Sequence, residues 1–236
     1  MNAHNRVGLL HTVPALAESF SSALTAEHRD IESVHIVDAA LLATAISDGV
    51  TDEVTARVAA HIGYLADAGA QAILVTCSSI AEAAEAAPSP VPVVRVDAAM
   101  AERAVTLATR AARSEDREGH VEVLATLEAT IGPTSRLLER FAEEHPDVTI
   151  DVTIVDGAAD AKDRGDQSLY ASLIRDAAVE FAGRSDVLVL AQASMADALD
   201  GVELPVPVLT SPAGGVRALL TALRSRNNSD PTTENT

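Results

Sequence analysis

Aromatic residues are nearly missing from this sequence: Phe, Trp and Tyr make up 2% of its 236 residues, and there is no Trp. The hydrophobic fraction is nevertheless 47%, so the core has to be built from Ala, Val, Leu and Ile. Small side chains let helices pack closely on a parallel sheet, whereas a β-sandwich of this length calls for more Tyr, Phe and Trp. One cysteine, Cys77, excludes an intramolecular disulfide and a cysteine-based zinc site. Lysine is as scarce, with Lys162 the only one. Basic residues number 17 against 35 acidic ones, a formal charge of -18. Phosphate backbones repel such a surface, so no nucleic-acid partner is expected. The acidic excess reads as a solubility feature rather than a determinant of fold. No run reaches the ~20 uncharged apolar residues of a membrane span, and no membrane partner is expected. The opening MNAHNRVGLLHTVP has a short apolar run containing His11 and Pro14 and does not read as a signal peptide. A cytoplasmic protein is the expectation.

What the sequence does contain is alternation. Short β-branched runs at Val7–Thr12, Val34–Asp38, Ala72–Thr76 and Val91–Val96 predict strands, followed by a second set at His120–Thr126, Val148–Asp156, Asp186–Leu190 and Val206–Leu209. Ala-rich amphipathic stretches between them predict helices over Ala15–His28, Thr51–Ala68, Ala98–Arg113, Thr134–His145, Leu169–Ala182 and Val216–Arg224. Strand and helix in alternation imply right-handed crossovers and a parallel sheet covered on both faces. The pattern also repeats. ILVTCSSIAEA from Ile73 lies over LVLAQASMADA from Leu188, and Pro90-Val91-Pro92-Val93 over Pro205-Val206-Pro207-Val208, at a spacing of about 115 residues. VHIVD at Val34 matches VTIVD at Val152, and GLLHT at Gly8 matches EVLAT at Glu122. Four pairings in one order predict an α/β protein of two pseudo-symmetric, Rossmann-like parallel-sheet lobes.

In open α/β sheets ligands bind beyond the carboxyl ends of the strands. Those ends carry His11-Thr12-Val13-Pro14 and Cys77-Ser78-Ser79 in the first lobe, and Thr126-Leu127-Glu128-Ala129-Thr130 and Gln192-Ala193-Ser194 in the second. Hydroxyls and backbone N–H groups at strand-to-helix turns suit a carboxylate. Cys77 leaves an apolar strand where Ser78-Ser79 could begin a helix, a position that would acidify its thiol. A lone cysteine of this kind is also an ordinary small hydrophobe. His11 reads either as a general base or electrophile, or as a half-buried histidine satisfied by backbone. Asp38, Asp97 and Asp156 each follow a strand and read as helix caps, and Glu128 as a solvated loop carboxylate. Gly214-Gly215 has no phosphate-loop pattern around it.

The runs LLHTVPAL, TCSSI, PVVRVDAAMAE, VLATLEATIGPT, VLAQASM and VPVLTSP, in this order and spacing, resemble the aspartate/glutamate/hydantoin racemase superfamily, which also holds maleate isomerase and arylmalonate decarboxylase. The resemblance spans about residues 6 to 224. It implies two α/β lobes with the active site in the cleft between them and a C-terminal helix returning to the first lobe. The expected division is residues 1–97 with 211–226, then 98–210, with 227–236 a disordered tail. In the superfamily's racemases a cysteine follows the third strand of each lobe, one removing the α-proton and the other returning one, without metal or pyridoxal phosphate. Cys77 matches the first position; the second falls on Gln192, whose amide neither gives nor takes a proton near neutral pH. Two-thiol racemisation is therefore not expected. One thiol still suffices to protonate an enediolate after loss of carboxylate, or to add to an electrophilic double bond. The resemblance thus implies a cofactor-independent isomerase or lyase acting on a small carboxylate. Cys77 would be the acid/base or nucleophile, and His11, Thr12, Pro14, Ser78, Ser79, Thr126, Thr130, Ala193 and Ser194 would line the site with Gln192. A non-catalytic carboxylate-binding or sensing protein is the alternative, and a homo-oligomer is compatible with either.

Overall fold

Alternating strands and helices resolve into two parallel four-stranded sheets. The computed structural model describes residues 5–229. Strands β1 (Arg6–His11), β2 (Glu32–Val37), β3 (Ala72–Val75) and β4 (Val93–Arg95) lie in the order β2-β1-β3-β4; β5 (Gly119–Ala125), β6 (Val148–Ile154), β7 (Val187–Leu190) and β8 (Val208–Thr210) lie in the order β6-β5-β7-β8. The internal repeat is therefore a repeat of topology. It extends to the register of the first and third strands of each sheet, where Val7 aligns with Ala72 as Val121 aligns with Val187; the second strands differ by one residue, Gly8 pairing with Val34 but Glu122 with Asp151 rather than Val152. The chain divides into two units, one of residues up to Val96 together with those from Pro212 onward, the other Asp97–Ser211.

In the first lobe, Val7 and Leu9 with Ala72 and Leu74 present one apolar face to α1 (Ala15–Glu27) and α9 (Ser211–Ser229), through Phe20, Leu24, Val216 and Leu219. Leu10, Ile73 and Val75 face the other way, onto α2 (Ala39–Ser47), α3 (Asp52–Asp67) and α4 (Ala81–Ala86). The stripe Val54, Val58, Ile62 and Leu65 follows helical spacing and is fully or nearly fully buried. Each such side chain contributes on the order of 1.5–3 kcal/mol of transfer free energy. Thr51 starts α3 by accepting from the Val54 N–H. Gly215 has a packing role: a Cβ there would lie 2.7 Å from Val96 Cγ2 and 2.9 Å from the Val96 carbonyl oxygen. Only a residue without a side chain lets α9 run against the end of β4.

In the second lobe, Val121, Val123, Val187 and Val189 pack on α5 (Ala98–Glu115) and α6 (Glu128–Ala142). Leu124, Leu188 and Leu190 pack on α7 (Ala158–Asp163) and α8 (Gln167–Ala182). Helix α6 starts well before the predicted Thr134, because Pro133 lies inside it. Proline's φ is already helical, and it forfeits a single hydrogen bond near the helix start. Helices α2, α4 and α7 are not expected from the pattern; none exceeds nine residues, too short for a clear apolar period. Residues 227–229, assigned to the tail from sequence, continue α9, and the remainder of that tail lies outside the described residues.

The capping expectation is corrected as well. Asp38 precedes α2 without a side-chain capping bond. Its carboxylate instead accepts from Arg57 Nη2 at 2.9 Å and meets His61 Nε2 at 2.7 Å, both on α3. Burial pushes this carboxyl up, but His61 and Arg57 outweigh it and hold it below the ordinary aspartate value. Asp97 stands before α5 with no side-chain cap, and the N-cap of α7 is Gly157, at φ +74, rather than Asp156. No helix among the described residues is long and apolar enough to cross a membrane.

Candidate active site

Strand order locates the site in the first lobe. Because β1 lies between β2 and β3, crossovers leave it in opposite directions, and the carboxyl ends of β1 and β3 border the switch point where open sheets bind ligands. His11 and Thr12 emerge from one end, Thr76 and Cys77 from the other. Cys77 is buried, with the Thr12 and Ser79 hydroxyls and the Ser79 and Ile80 N–H groups beside its sulfur as donors that favour the thiolate. Ser78 and Ser79 are themselves 8% and 5% exposed. Burial pushes the Cys77 thiol up, and these donors pull it back only in part. The expectation of an acidified thiol is overturned. Cys77 leads into a three-residue 3-10 turn (Ser78–Ile80) and then the six-residue α4, so no long helix dipole offsets the desolvation.

Beneath the thiol lies a hydrogen-bonded line of side chains. Thr76 Oγ1 donates to the Leu10 carbonyl at 3.2 Å and contacts His11 Nδ1 at 2.9 Å. His11 Nε2 meets His35 Nδ1 at 2.9 Å, and His35 Nε2 is 2.9 Å from Ser33 Oγ and 3.1 Å from Ser21 Oγ. Neutral imidazoles, each protonated on Nδ1, satisfy the line from the Leu10 carbonyl to the Ser33 hydroxyl, while the Ser21 hydroxyl donates to the Ala17 carbonyl at 2.9 Å. His11 is wholly buried, and desolvation, aided by the charge His35 would carry, lowers its pKa to about 4. His11 ties β1 to β3 and β2 from inside the lobe, with both ring nitrogens occupied. Pro14 stands exposed at the N-cap of α1.

The second lobe places Thr126 and Gln192 at the equivalent strand ends. Where Thr12 stands beside Cys77, the Thr126 N–H donates to Gln192 Oε1 at 3.1 Å, and Gln192 Nε2 donates to Thr130 Oγ1 at 2.9 Å. The amide thus bridges the end of β5 to the first turn of α6, a link a thiol is too short to make at both ends. Thr126 and Thr130 are buried; Ala193 and Ser194 are half-buried in the 3-10 segment Ala193–Leu199.

Sequence reasoning missed Lys162. From the last turn of α7 its Nζ donates to Ser194 Oγ at 2.7 Å and lies 5.4 Å from the centre of the Tyr170 ring. Tyr170 hydrogen-bonds to Ser194 and Thr126 in turn. Desolvation lowers the pKa of Lys162. The signal available in the sequence was rarity, since a chain with one lysine has put it beside a strand-end serine. Glu128, by contrast, is exposed.

Several comparisons bear on this geometry. No curated protein matches the sequence significantly. Among solved structures, the fold is similar to an aspartate racemase from Picrophilus torridus, with a TM-score of 0.68 at 14% identity, covering 93% of this chain and 94% of that one. It is similar also to an allantoin racemase from Klebsiella pneumoniae, with a TM-score of 0.61 at 16% identity over 93% and 88% of the two chains. A mutant of arylmalonate decarboxylase in a sulfate-associated form superposes with a TM-score of 0.55 at 21% identity, over 93% of each chain. At these identities the likeness concerns the fold. The sequence itself matches the profile of the Asp/Glu/Hydantoin racemase family over residues 10–219, nearly its whole length, and the chain therefore belongs to that family of racemase-like enzymes.

Proposed function

We propose that the protein is a cofactor-independent isomerase or lyase that acts at the carbon alpha to a carboxylate of a small acid, amino acid or derivative, with Cys77 as its one thiol. The observation that carries this reading is the inequality of two equivalent strand ends. One holds a thiol among hydrogen-bond donors, and the other an amide whose two ends are already engaged. Because burial pushes Cys77 up, the resting group is S–H, a proton donor. That state favours protonating a carbanion over abstracting a proton. In a decarboxylation the C–C electron pair would pass into an enediolate as carbon dioxide leaves. The α-carbon would take the proton from Sγ, and water would restore it. The Thr12 and Ser79 donors would steady the thiolate formed in that step. In the second lobe Lys162, held by Ser194, is a cation of the kind that binds carboxylates.

The test is a screen of small dicarboxylates, amino acids, hydantoins and malonates in D2O with the wild-type protein and Cys77→Ser. The reading expects deuterium at the α-carbon, lost in the variant, and protection of Cys77 from iodoacetamide by the same compound. Full activity of Cys77→Ser would refute it. A compound that binds to both proteins without any exchange would establish the alternative, a carboxylate-binding or sensing protein.

A further inference from the structure

A charged cluster lies in the second lobe at the other end of the sheet from Thr126. His120 and Glu122 occupy alternate positions of β5 and so share a face with Leu124, and Asp151 pairs with Glu122 in register across β6. Their ligating atoms all lie within 4.8 Å of one another. Glu122 and Thr126 are four residues apart along an extended strand, which places the cluster about 13 Å from the strand ends.

Three observations set this cluster apart from a surface ion pair. First, Glu122 is 2% exposed on the central strand of the sheet, and its Oε1 is buried with no hydrogen-bond partner. Second, His120 Nδ1 is 2.8 Å from the Arg184 carbonyl, which fixes the ring proton on Nδ1 and leaves Nε2 with a free lone pair. Asp151 Oδ2 is 3.0 Å and Glu122 Oε2 3.8 Å from Nε2, yet Nε2 is buried with neither oxygen in line for an N–H···O bond. An imidazole oriented by a backbone carbonyl and presenting its other nitrogen to carboxylates is the usual arrangement of a metal ligand. Third, the fold does not require an acid here. In the repeat the equivalent of Glu122 is Gly8, where a Cβ would already touch Leu65 and Ala70, so the first lobe closes the same position with apolar packing.

We propose that His120 Nε2, a Glu122 carboxylate oxygen and Asp151 Oδ2 form a structural binding site for a divalent transition-metal ion of the zinc type. Ligand atoms at tetrahedral vertices around zinc, with bonds near 2.0 Å, stand roughly 3.3 Å apart, between the two separations seen here. One imidazole with two carboxylates balances a dication and favours zinc or cobalt over magnesium or calcium. Water completes the shell, and the ion clips edge strand β6 to β5.

The experiment uses the full chain after chelator treatment and dialysis, titrated with Zn²⁺ by calorimetry and thermal melting, and with Co²⁺ by visible absorption. The expected result is one equivalent of Zn²⁺ bound, a higher Tm, and a tetrahedral Co²⁺ spectrum that zinc displaces. Asp151→Asn, whose side chain is 73% exposed and whose replacement leaves the core untouched, should weaken Zn²⁺ binding about tenfold or more, as should His120→Gln. Unaltered Zn²⁺ affinity in Asp151→Asn, no stoichiometric binding by the wild type, or equal stabilisation by Mg²⁺ would overturn the proposal.

Discussion

Acid should erode the stability of the fold between pH 6.5 and 4, and His11 is the reason. The ring is wholly buried, its two nitrogens are taken by Thr76 and His35, and its pKa is lowered to about 4. In the unfolded chain the same imidazole titrates at 6.5. Between these values the unfolded state binds more protons, so stability rises with pH; it is fully present above 6.5 and is withdrawn as pH falls towards 4. At 1.36 kcal/mol per pH unit the loss amounts to about 3 kcal/mol. His35, also lowered by burial, acts in the same direction. Glu122, raised by burial, acts in the opposite one: its contribution is present at low pH and lost as pH rises. His11→Gln isolates the histidine term. The variant should be less stable at pH 7.5 by about 1–3 kcal/mol, the cost of disturbing a buried hydrogen-bond network, but its stability should fall less steeply between pH 6.5 and 4. Urea unfolding followed by far-UV circular dichroism at several pH values measures this, because a chain without Trp has no indole fluorescence to follow. Histidine C2–H resonances give the pKa directly. A His11 midpoint near 6.5, or parallel stability profiles for the two proteins, would refute the argument.

Two further outcomes test the second lobe. Lys162→Met keeps the length of the side chain but removes the ammonium beside Ser194; it should raise KM for a carboxylate substrate about tenfold or more while changing kcat less, as loss of a charge-assisted contact of about 1.5–3 kcal/mol requires. An unchanged KM would exclude Lys162 from substrate binding. Gln192→Cys should create or raise racemisation, since a second general acid–base group typically contributes 10²–10⁴-fold. Chiral chromatography reads the gain. The same variant loses the link between Thr126 and Thr130, so its Tm should fall. Racemisation by the wild type with exchange at both faces would show that another group already does the work of a second thiol.

Much of the architecture was legible because it rests on local periodicity. The β-branched runs and Ala-rich stripes place all eight strands within a few residues, and the repeat from Ile73 onto Leu188 foretells that β3 and β7 are equivalent. Cys77 and Gln192 were identified from the same repeat, as strand-end residues. Segments with weak periodicity escaped: α2, α4 and α7 are too short to show an apolar stripe, and Pro133 concealed the start of α6.

Composition and order along the chain by themselves determine a small-residue α/β core, two similar lobes, and a thiol at one strand end whose counterpart in the repeat is an amide. These depend on neighbours in sequence, on side-chain volume and on turn chemistry. The tertiary structure alone decided what surrounds each polar group. Only the pairing of β1 with β2 and β3 brings His35 and Thr76 to the two nitrogens of His11, residues 24 and 65 positions away. Only burial sets the Cys77 thiol high when the serines after it suggested a low value. The meeting of Lys162 with Ser194, and of His120 with Asp151, likewise spans some thirty residues. A pKa or a ligand set is a sum over nearby dipoles, charges and excluded water, and those neighbours are chosen by the fold, not by the order of the chain.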